Sequence, residues 1–313
     1  MKILFAGAGA LGSRFAFMLH QAGFDVTLID NWETHIENIK KDGLKVIIDD
    51  KDLGNYKMPI YCSKEVKNIK EDFDVIFVST KSMQLRPMLE DIKPLLKKDT
   101  KVICVLNGLG HVDTLKEYID PNNILIGVTV WTSGLGGPGI LKAHGVGKAE
   151  IKQVEEKDLT KTNSIIEQFN KAGLNLIYSN NVYTSIWHKA ALNCVLNSYC
   201  TLIDCNINQY GSYKDHQVLT DGILDELVKV AEAEGVSVSK EIISQNIINC
   251  FDPKTAGLHY PSLYQDMKNG RLTEIDYLNG AIAKLGKKHN IATPVNAIIA
   301  HMIHSKENKN NNK

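Results

Sequence analysis

Apolar residues recur along this chain with two different periods, and the change of period divides it. Up to about residue 180, short apolar runs alternate with amphipathic stretches. Residues 3–6, 26–30, 75–79 and 101–106 predict strands, and residues 12–22, 33–42 and 84–96 predict the helices between them. Strands that alternate with helices imply crossover connections and a parallel sheet covered on both faces. The strand pattern is weaker at 44–48 and 58–62, where extra strands or a hairpin are expected. Residues 124–131 and 148–151 read as further strands separated by the glycine-rich turn 134–139.

Beyond residues 179–181 the spacing changes to three and four. Helices are predicted over 182–202, 216–234, 240–250, 262–268, 273–289 and 293–304. The fold class is therefore α/β: a Rossmann-type N-terminal domain over 1–180 and an all-helical domain over 181–305. The polar run 306–313 is expected to be a disordered tail. A crevice between the two halves would be a natural place for a ligand.

Composition narrows the classes of partner. Of 313 residues, 36 are Lys or Arg and 36 are Asp or Glu, so there is no basic surplus to drive nucleic-acid or acidic-membrane binding. No uncharged apolar run approaches the roughly 20 residues that span a bilayer. The six cysteines form no CxxC pair and no metal-like spacing, which predicts reduced core thiols and a cytoplasmic protein. His301 and His304, three apart without a carboxylate or thiol partner in view, read as a plain helix face, and no metal is expected. The apolar start at residues 3–8 is preceded by one lysine and followed by glycines, so it reads as a strand of the mature protein.

Gly7-Ala8-Gly9-Ala10-Leu11-Gly12 is a GxGxxG between a predicted strand and a predicted helix, the context in which that motif binds a dinucleotide. Gly7 permits a tight turn, Gly9 lets backbone amides approach a pyrophosphate, and Gly12 allows close helix–strand packing. The helix N-terminus then faces the phosphates with unpaired N–H groups and partial positive charge. Asp30 closes the second strand, where a carboxylate accepts hydrogen bonds from the adenosine ribose and repels a 2′-phosphate. Asn31 and Trp32 follow it, with no arginine, so NADH use is favoured. Lys81 and Asn107-Gly108 follow two later strands, at the carboxyl edge where ligands of such sheets collect.

In the helical half, Lys189, Asn193 and Asn197 are spaced i, i+4, i+8 and fall within an arc of about 80°. Ala190, Ala191, Leu192, Val195 and Leu196 surround them. A polar stripe among apolar residues is costly to bury without partners or a ligand. A lysine against apolar walls loses proton affinity and becomes a usable general acid. Farther on, Thr273 and Glu274 fit either a helix cap or active-site chemistry.

These residues together resemble the ketopantoate reductase (2-dehydropantoate 2-reductase) family. The resemblance rests on the glycine motif, Lys81, Asn107-Gly108, Lys189-x3-Asn193-x3-Asn197, Ser262-x2-Gln265-Asp266 and Arg271-x-Thr273-Glu274-Ile275-Asp276-x2-Asn279-Gly280, in matching order along nearly the whole chain. Ala143-His144-Gly145-x-Gly147 resembles the family's glycine-rich segment before the domain junction. The resemblance implies reduction of 2-dehydropantoate to pantoate, a step toward coenzyme A, with NADPH. It implies that Lys189 donates the proton to the keto oxygen and Glu274 binds the hydroxyl side of the substrate. Asn193, Asn197 and Ser262 would hold hydroxyl and carboxylate groups, while Asn107 and Lys81 would help position cofactor and substrate. The expected partner is a small keto acid, and the expected state is a monomer or homodimer. A reductase of the same build for another 2-keto or 3-keto acid is the alternative. A non-catalytic dinucleotide sensor fits less well, because it would not need Lys189, Asn193, Asn197 and Glu274 together.

Overall fold

The structure, a computed structural model, describes residues 1–311. It divides into two compact units: one comprises Met1–Leu106 and His111–Val182, and the other comprises Asn107–Gly110 and the chain from Tyr183.

The first unit opens with β1 (Lys2–Ala6), α1 (Ala10–Gln21), β2 (Asp25–Asp30) and α2 (Glu33–Asp42). Then come β3 (Leu44–Ile48), β4 (Lys51–Tyr56), β5 (Ile60–Cys62), β6 (Val75–Val78), α3 (Leu85–Ile92), β7 (Lys101–Cys104) and α4 (His111–Lys116). It ends with β8 (Ile124–Thr129), β9 (Thr132–Gly137), β10 (Ile140–His144), β11 (Ala149–Gln153), α5 (Thr160–Lys171) and β12 (Leu176–Tyr178). The main sheet runs β12-β11-β8-β7-β6-β1-β2-β5. Its six strands from β5 to β8 are parallel, and β11 pairs antiparallel to β8. Being covered on both faces, β1 and β6 are apolar throughout their interiors, with Ile3, Leu4, Phe5, Ile76 and Val78 fully buried. Strand order reverses at β1, between β2 and β6, which is where open α/β sheets bind ligands.

Residues 134–139, expected as a turn, instead belong largely to β9, which forms a hairpin with β10. With β3 and β4 this makes a second sheet in the order β4-β3-β10-β9. Two residues fasten that sheet to the first. Arg14 of α1 lies over the Trp131 ring at 4.2 Å and donates to the carbonyls of Thr132, His144 and Gly145. The His35 ring of α2 accepts from the Gly139 N–H at 2.9 Å. Helix α5 and β12 were not legible in the spacing; α5 buries Thr162, Ile165 and Phe169.

The second unit contains α6 (Val182–Leu202), α7 (Ile207–Gly211), α8 (His216–Ala233), α9 (Lys240–Cys250), α10 (Ser262–Lys268), α11 (Asn279–Lys288) and α12 (Pro294–Asn311). Its apolar core centres on Ala191, Cys194 and Val195 of α6, Leu224 and Leu227 of α8, and Ile282 of α11. A buried polar seam crosses that core. Asn279 accepts from Ser198 Oγ at 2.5 Å and donates to the Cys194 carbonyl at 3.2 Å and to Asn296 Oδ1 at 2.9 Å. Glu226 accepts from the Val295 and Asn296 N–H groups, placing a carboxylate at the α12 N-terminus, where the helix dipole favours it.

Two expectations need correction here. The helix predicted over 273–289 is broken: Thr273 and Glu274 are extra-helical, Ile275–Tyr277 form one 3-10 turn, and α11 begins at Asn279. The tail expected to be disordered from 306 is helical through Asn311, as the end of α12. It is tied down by Lys306, whose ammonium donates to the Thr201 carbonyl at 2.6 Å and to Asp204 at 2.8 Å, and by the buried Glu307. Residues 312–313 lie outside the described residues.

All six cysteines are free thiols, four of them buried. No helix among the described residues is long and apolar enough to cross a membrane. Nor do the described residues gather three or more His, Cys, Asp or Glu side chains as a metal site would require; His304 is engaged with Asp276 and Glu307.

Candidate active site

In the first unit, the loop after β1 is built around two steric necessities. Gly7 has φ +111°, and a Cβ there would stand 2.6 Å from the Ser79 carbonyl carbon at the end of β6. A Cβ on Gly12 would meet the Gly7 oxygen at 2.2 Å, so α1 can pack this closely only with glycine. Ser79 Oγ seals the approach by donating to the Gly7 carbonyl at 2.7 Å. Gly9 is different. A Cβ there would have only the Ser79 oxygen, 3.9 Å away, for a neighbour, so the space is open to a ligand rather than filled by protein. Among the described residues no side chain caps α1 and no acidic group lies in its first turn. Its leading N–H groups, around Ala10 and Leu11, thus offer an anion the field a pyrophosphate needs. The residues present fit a dinucleotide.

Asp30, at the end of β2, closes this site. Its Oδ2 accepts from the Ala8 N–H at 2.7 Å, and its Oδ1 accepts from the N–H groups of Asn31 and Trp32 at 2.7 and 2.9 Å. The carboxylate therefore holds the glycine loop against β2, a role the sequence did not reveal. Trp32 stacks on His35 with ring centroids 5.2 Å apart. Lys81 follows β6 and is exposed.

In the second unit, Asn107, Asn193, Asn197, Ser262 and Glu274 line one narrow pocket with Asp266, Leu263 and Leu278. Three local devices assemble it. Helix α6 presents Lys189, Asn193 and Asn197 on one face, one turn apart. Gly108, at φ +96°, lets its backbone lie against Tyr277, where a Cβ would be 2.5 Å from the Tyr277 oxygen. Leu109 N–H donates to that same oxygen at 2.9 Å, so the Asn107 turn is packed directly onto the segment bearing Glu274. Ser262, at the start of α10, accepts from Asn197 Nδ2 at 3.4 Å.

Thr273 does not cap a helix. Its N–H and its hydroxyl both donate to Glu307 Oε1, at 2.8 and 2.7 Å. Glu274 is left buried on the pocket wall, 8% exposed. Asp266, also on that wall and buried, accepts from Arg271 Nε at 2.9 Å, so the exposed guanidinium balances one of the two carboxylates. Asn279, part of the same sequence cluster, is spent in the core seam rather than on the pocket.

Lys189 sits one turn before Asn193 on the polar face of α6. Burial pushes its ammonium down from 10.5 to about 8, and the charge of Glu274 works in the opposite direction. An amine titrating near neutrality is matched to proton transfer in water at ordinary pH. Asp266, on the pocket wall, and Glu307, bonded to Thr273, are two acidic groups to which the sequence pattern assigns no role. Asp266 is visible as part of a motif, whereas Glu307 stands in a polar run whose composition hides it.

The ketopantoate reductase PanE/ApbA family model matches residues 3–156, and the model of its C-terminal domain matches residues 181–307. The chain belongs to the ketopantoate reductase family. It is 44% identical over 308 residues to a 2-dehydropantoate 2-reductase of Lactococcus lactis, covering 98% of each chain. Among solved structures it is similar to a D-mandelate dehydrogenase in a ternary complex with NADH and anilino(oxo)acetate, with a TM-score of 0.95, 42% identity and coverage of 99% and 100% of the two chains. It is also similar to a putative 2-dehydropantoate 2-reductase from Enterococcus faecalis, with a TM-score of 0.80, 44% identity and coverage of 99% of each chain. Family membership accounts for the joint presence of the glycine loop and the lysine–asparagine stripe in one chain.

Proposed function

We propose that this protein reduces 2-dehydropantoate to pantoate with a reduced nicotinamide dinucleotide, and that Lys189 is the proton donor. The observation that carries the reading is the lysine itself, an ammonium held at about 8 by burial, within the field of Glu274 and in line with two asparagines. A bound reduced nicotinamide supplies a hydride to the keto carbon of the substrate. As the C=O π pair moves onto oxygen, the Lys189 ammonium gives that oxygen its proton and is left as an amine, which solvent reprotonates. Asn107, Asn193, Asn197 and Ser262 offer donors and acceptors to the carboxylate and hydroxyl of the substrate, and Glu274 accepts from the hydroxyl. The Gly7–Gly12 loop and Asp30 hold the dinucleotide, and Lys81 helps position it. The carboxylate of Asp30 favours NADH over the phosphorylated form.

The D-mandelate dehydrogenase likeness supports a second reading, reduction of an aryl 2-keto acid. The pocket weighs against it. Three asparagines, a serine and two carboxylates line it with only Leu263 and Leu278, and such a polar wall gives a phenyl group little apolar surface to meet, whereas a hydroxylated aliphatic acid can hydrogen-bond to it. Initial rates followed by nicotinamide absorbance, with ketopantoate and phenylglyoxylate and with each reduced nucleotide, separate the two. A kcat/KM for phenylglyoxylate above that for ketopantoate would replace the first reading by the second.

A further inference from the structure

The last turns of α12 grip the segment that carries Glu274 on both sides of it. Glu307, buried at 7% exposure, takes the N–H and the hydroxyl of Thr273 on a single oxygen. Its other oxygen meets His304 Nδ1 at 2.9 Å, and His304 Nε2 reaches Asp276 Oδ1 at 2.9 Å. Thr273 immediately precedes Glu274, and Asp276 lies two residues beyond it. The segment has no helix of its own to set its course, because one 3-10 turn separates it from α11. Its placement therefore rests on contacts from outside: Ile275 and Leu278 are buried in the core, Leu109 N–H holds the Tyr277 carbonyl, and the α12 contacts fix the residues on either side of Glu274.

Resting on the reading of Glu274 given above, we propose that Glu307, clamped by His304, is a positioning residue for the reaction: it fixes Thr273 and so aims the Glu274 carboxylate into the substrate pocket and toward Lys189. A buried carboxylate that accepts two bonds from one residue is costly to desolvate unless that geometry is used. A misplacement of about 1 Å in a positioned group is enough to weaken catalysis strongly. The residue acts through Glu274 and touches no reacting atom.

The test compares Glu307→Leu, Glu307→Gln, Thr273→Val and Glu274→Gln with the native protein. For each, the KM and kcat for ketopantoate, the alkaline limb of kcat/KM, the nucleotide Kd from nicotinamide fluorescence and the melting midpoint are measured. Glu307→Leu should raise the keto-acid KM about tenfold and move the alkaline limb the same way as Glu274→Gln, with nucleotide Kd changed less than about twofold. Glu307→Gln should recover most of that loss, because its amide oxygen still accepts from Thr273 while its NH2 donates to His304 Nδ1. A merely structural residue would lower the melting midpoint without separating KM from nucleotide Kd and without a glutamine rescue. A folded Glu307→Leu protein with native KM and limb, while Glu274→Gln alters both, overturns the inference. So does a glutamine variant no better than the leucine one. If Glu307→Leu does not fold, Thr273→Val decides: a rise of about threefold in KM supports the clamp, and an unchanged KM overturns it. A silent Glu274→Gln removes the reading of Glu274, and this inference with it.

Discussion

Replacing Glu274 by glutamine should move the alkaline limb of the pH–rate profile toward lower pH. Burial holds the Lys189 ammonium at about 8 rather than 10.5, and Glu274 is the group whose charge opposes that fall. With a value near 8, about 90% of the amine is protonated at pH 7 and slightly under about 10% at pH 9, so keto-acid reduction should fall roughly tenfold between them. Removing the opposing carboxylate takes the ammonium down further, so that less of it is protonated at pH 7 than in the native protein. The assay is kcat/KM for ketopantoate from about pH 6 to about pH 10, with nicotinamide absorbance as the readout, since this quantity reports groups on the free enzyme. A profile with no descending limb near pH 8, or a limb that the substitution leaves in place or moves upward, refutes the assignment of the titrating acid to Lys189.

Three further outcomes follow from the same geometry. Because the native value of Lys189 lies below its ordinary one, the folding cost of the ammonium is full below about pH 8 and vanishes as pH rises through 10.5. That cost is roughly 3 kcal/mol at neutral pH, so Lys189→Met should raise the melting midpoint by a few degrees at pH 7 and hardly at all at pH 11. Equal midpoint shifts at both pH values would show that the ammonium carries no such cost. Gly12→Ala should destabilise the fold by about 3 kcal/mol or more, since its Cβ has the Gly7 oxygen at 2.2 Å, whereas Gly9→Ala should melt as the native protein does and weaken nucleotide binding. Chemical denaturation and fluorescence titration check the pair. Asp30→Asn should raise the ratio of NADPH to NADH kcat/KM about tenfold or more, and a native enzyme already strongly selective for NADPH would contradict the role given to Asp30.

The parts of this protein that were legible in its sequence are those whose signal is local. The β1–glycine loop–α1 unit is readable because its motif is contiguous, although the close approach that demands Gly7 is to Ser79, and the α6 stripe because helical geometry alone puts Lys189, Asn193 and Asn197 on one face. The second sheet was read only in fragments. Strand β4 is exposed along most of its length, and β9 alternates in burial but is too glycine-rich to show that alternation in its residues, so neither carries the apolar–polar pattern of a half-buried strand. Glu274 was ambiguous for a related reason. The contacts that flank it join Thr273 and Asp276 to α12, and Thr273 and Glu307 are 34 residues apart along the chain but hydrogen-bonded in space. The end of α12 misled because composition marks 306–313 as polar and simple. Position says more: Ile299, Ile303 and Glu307 continue one buried stripe at intervals of four.

The most direct test of the account is single-turnover reduction of ketopantoate by Lys189→Ala, with nucleotide Kd measured alongside. With Lys189 as the proton donor, the hydride-transfer rate at pH 7 drops by about 10²-fold or more while nucleotide Kd stays within about twofold of native. Undiminished turnover without the amine would contradict it.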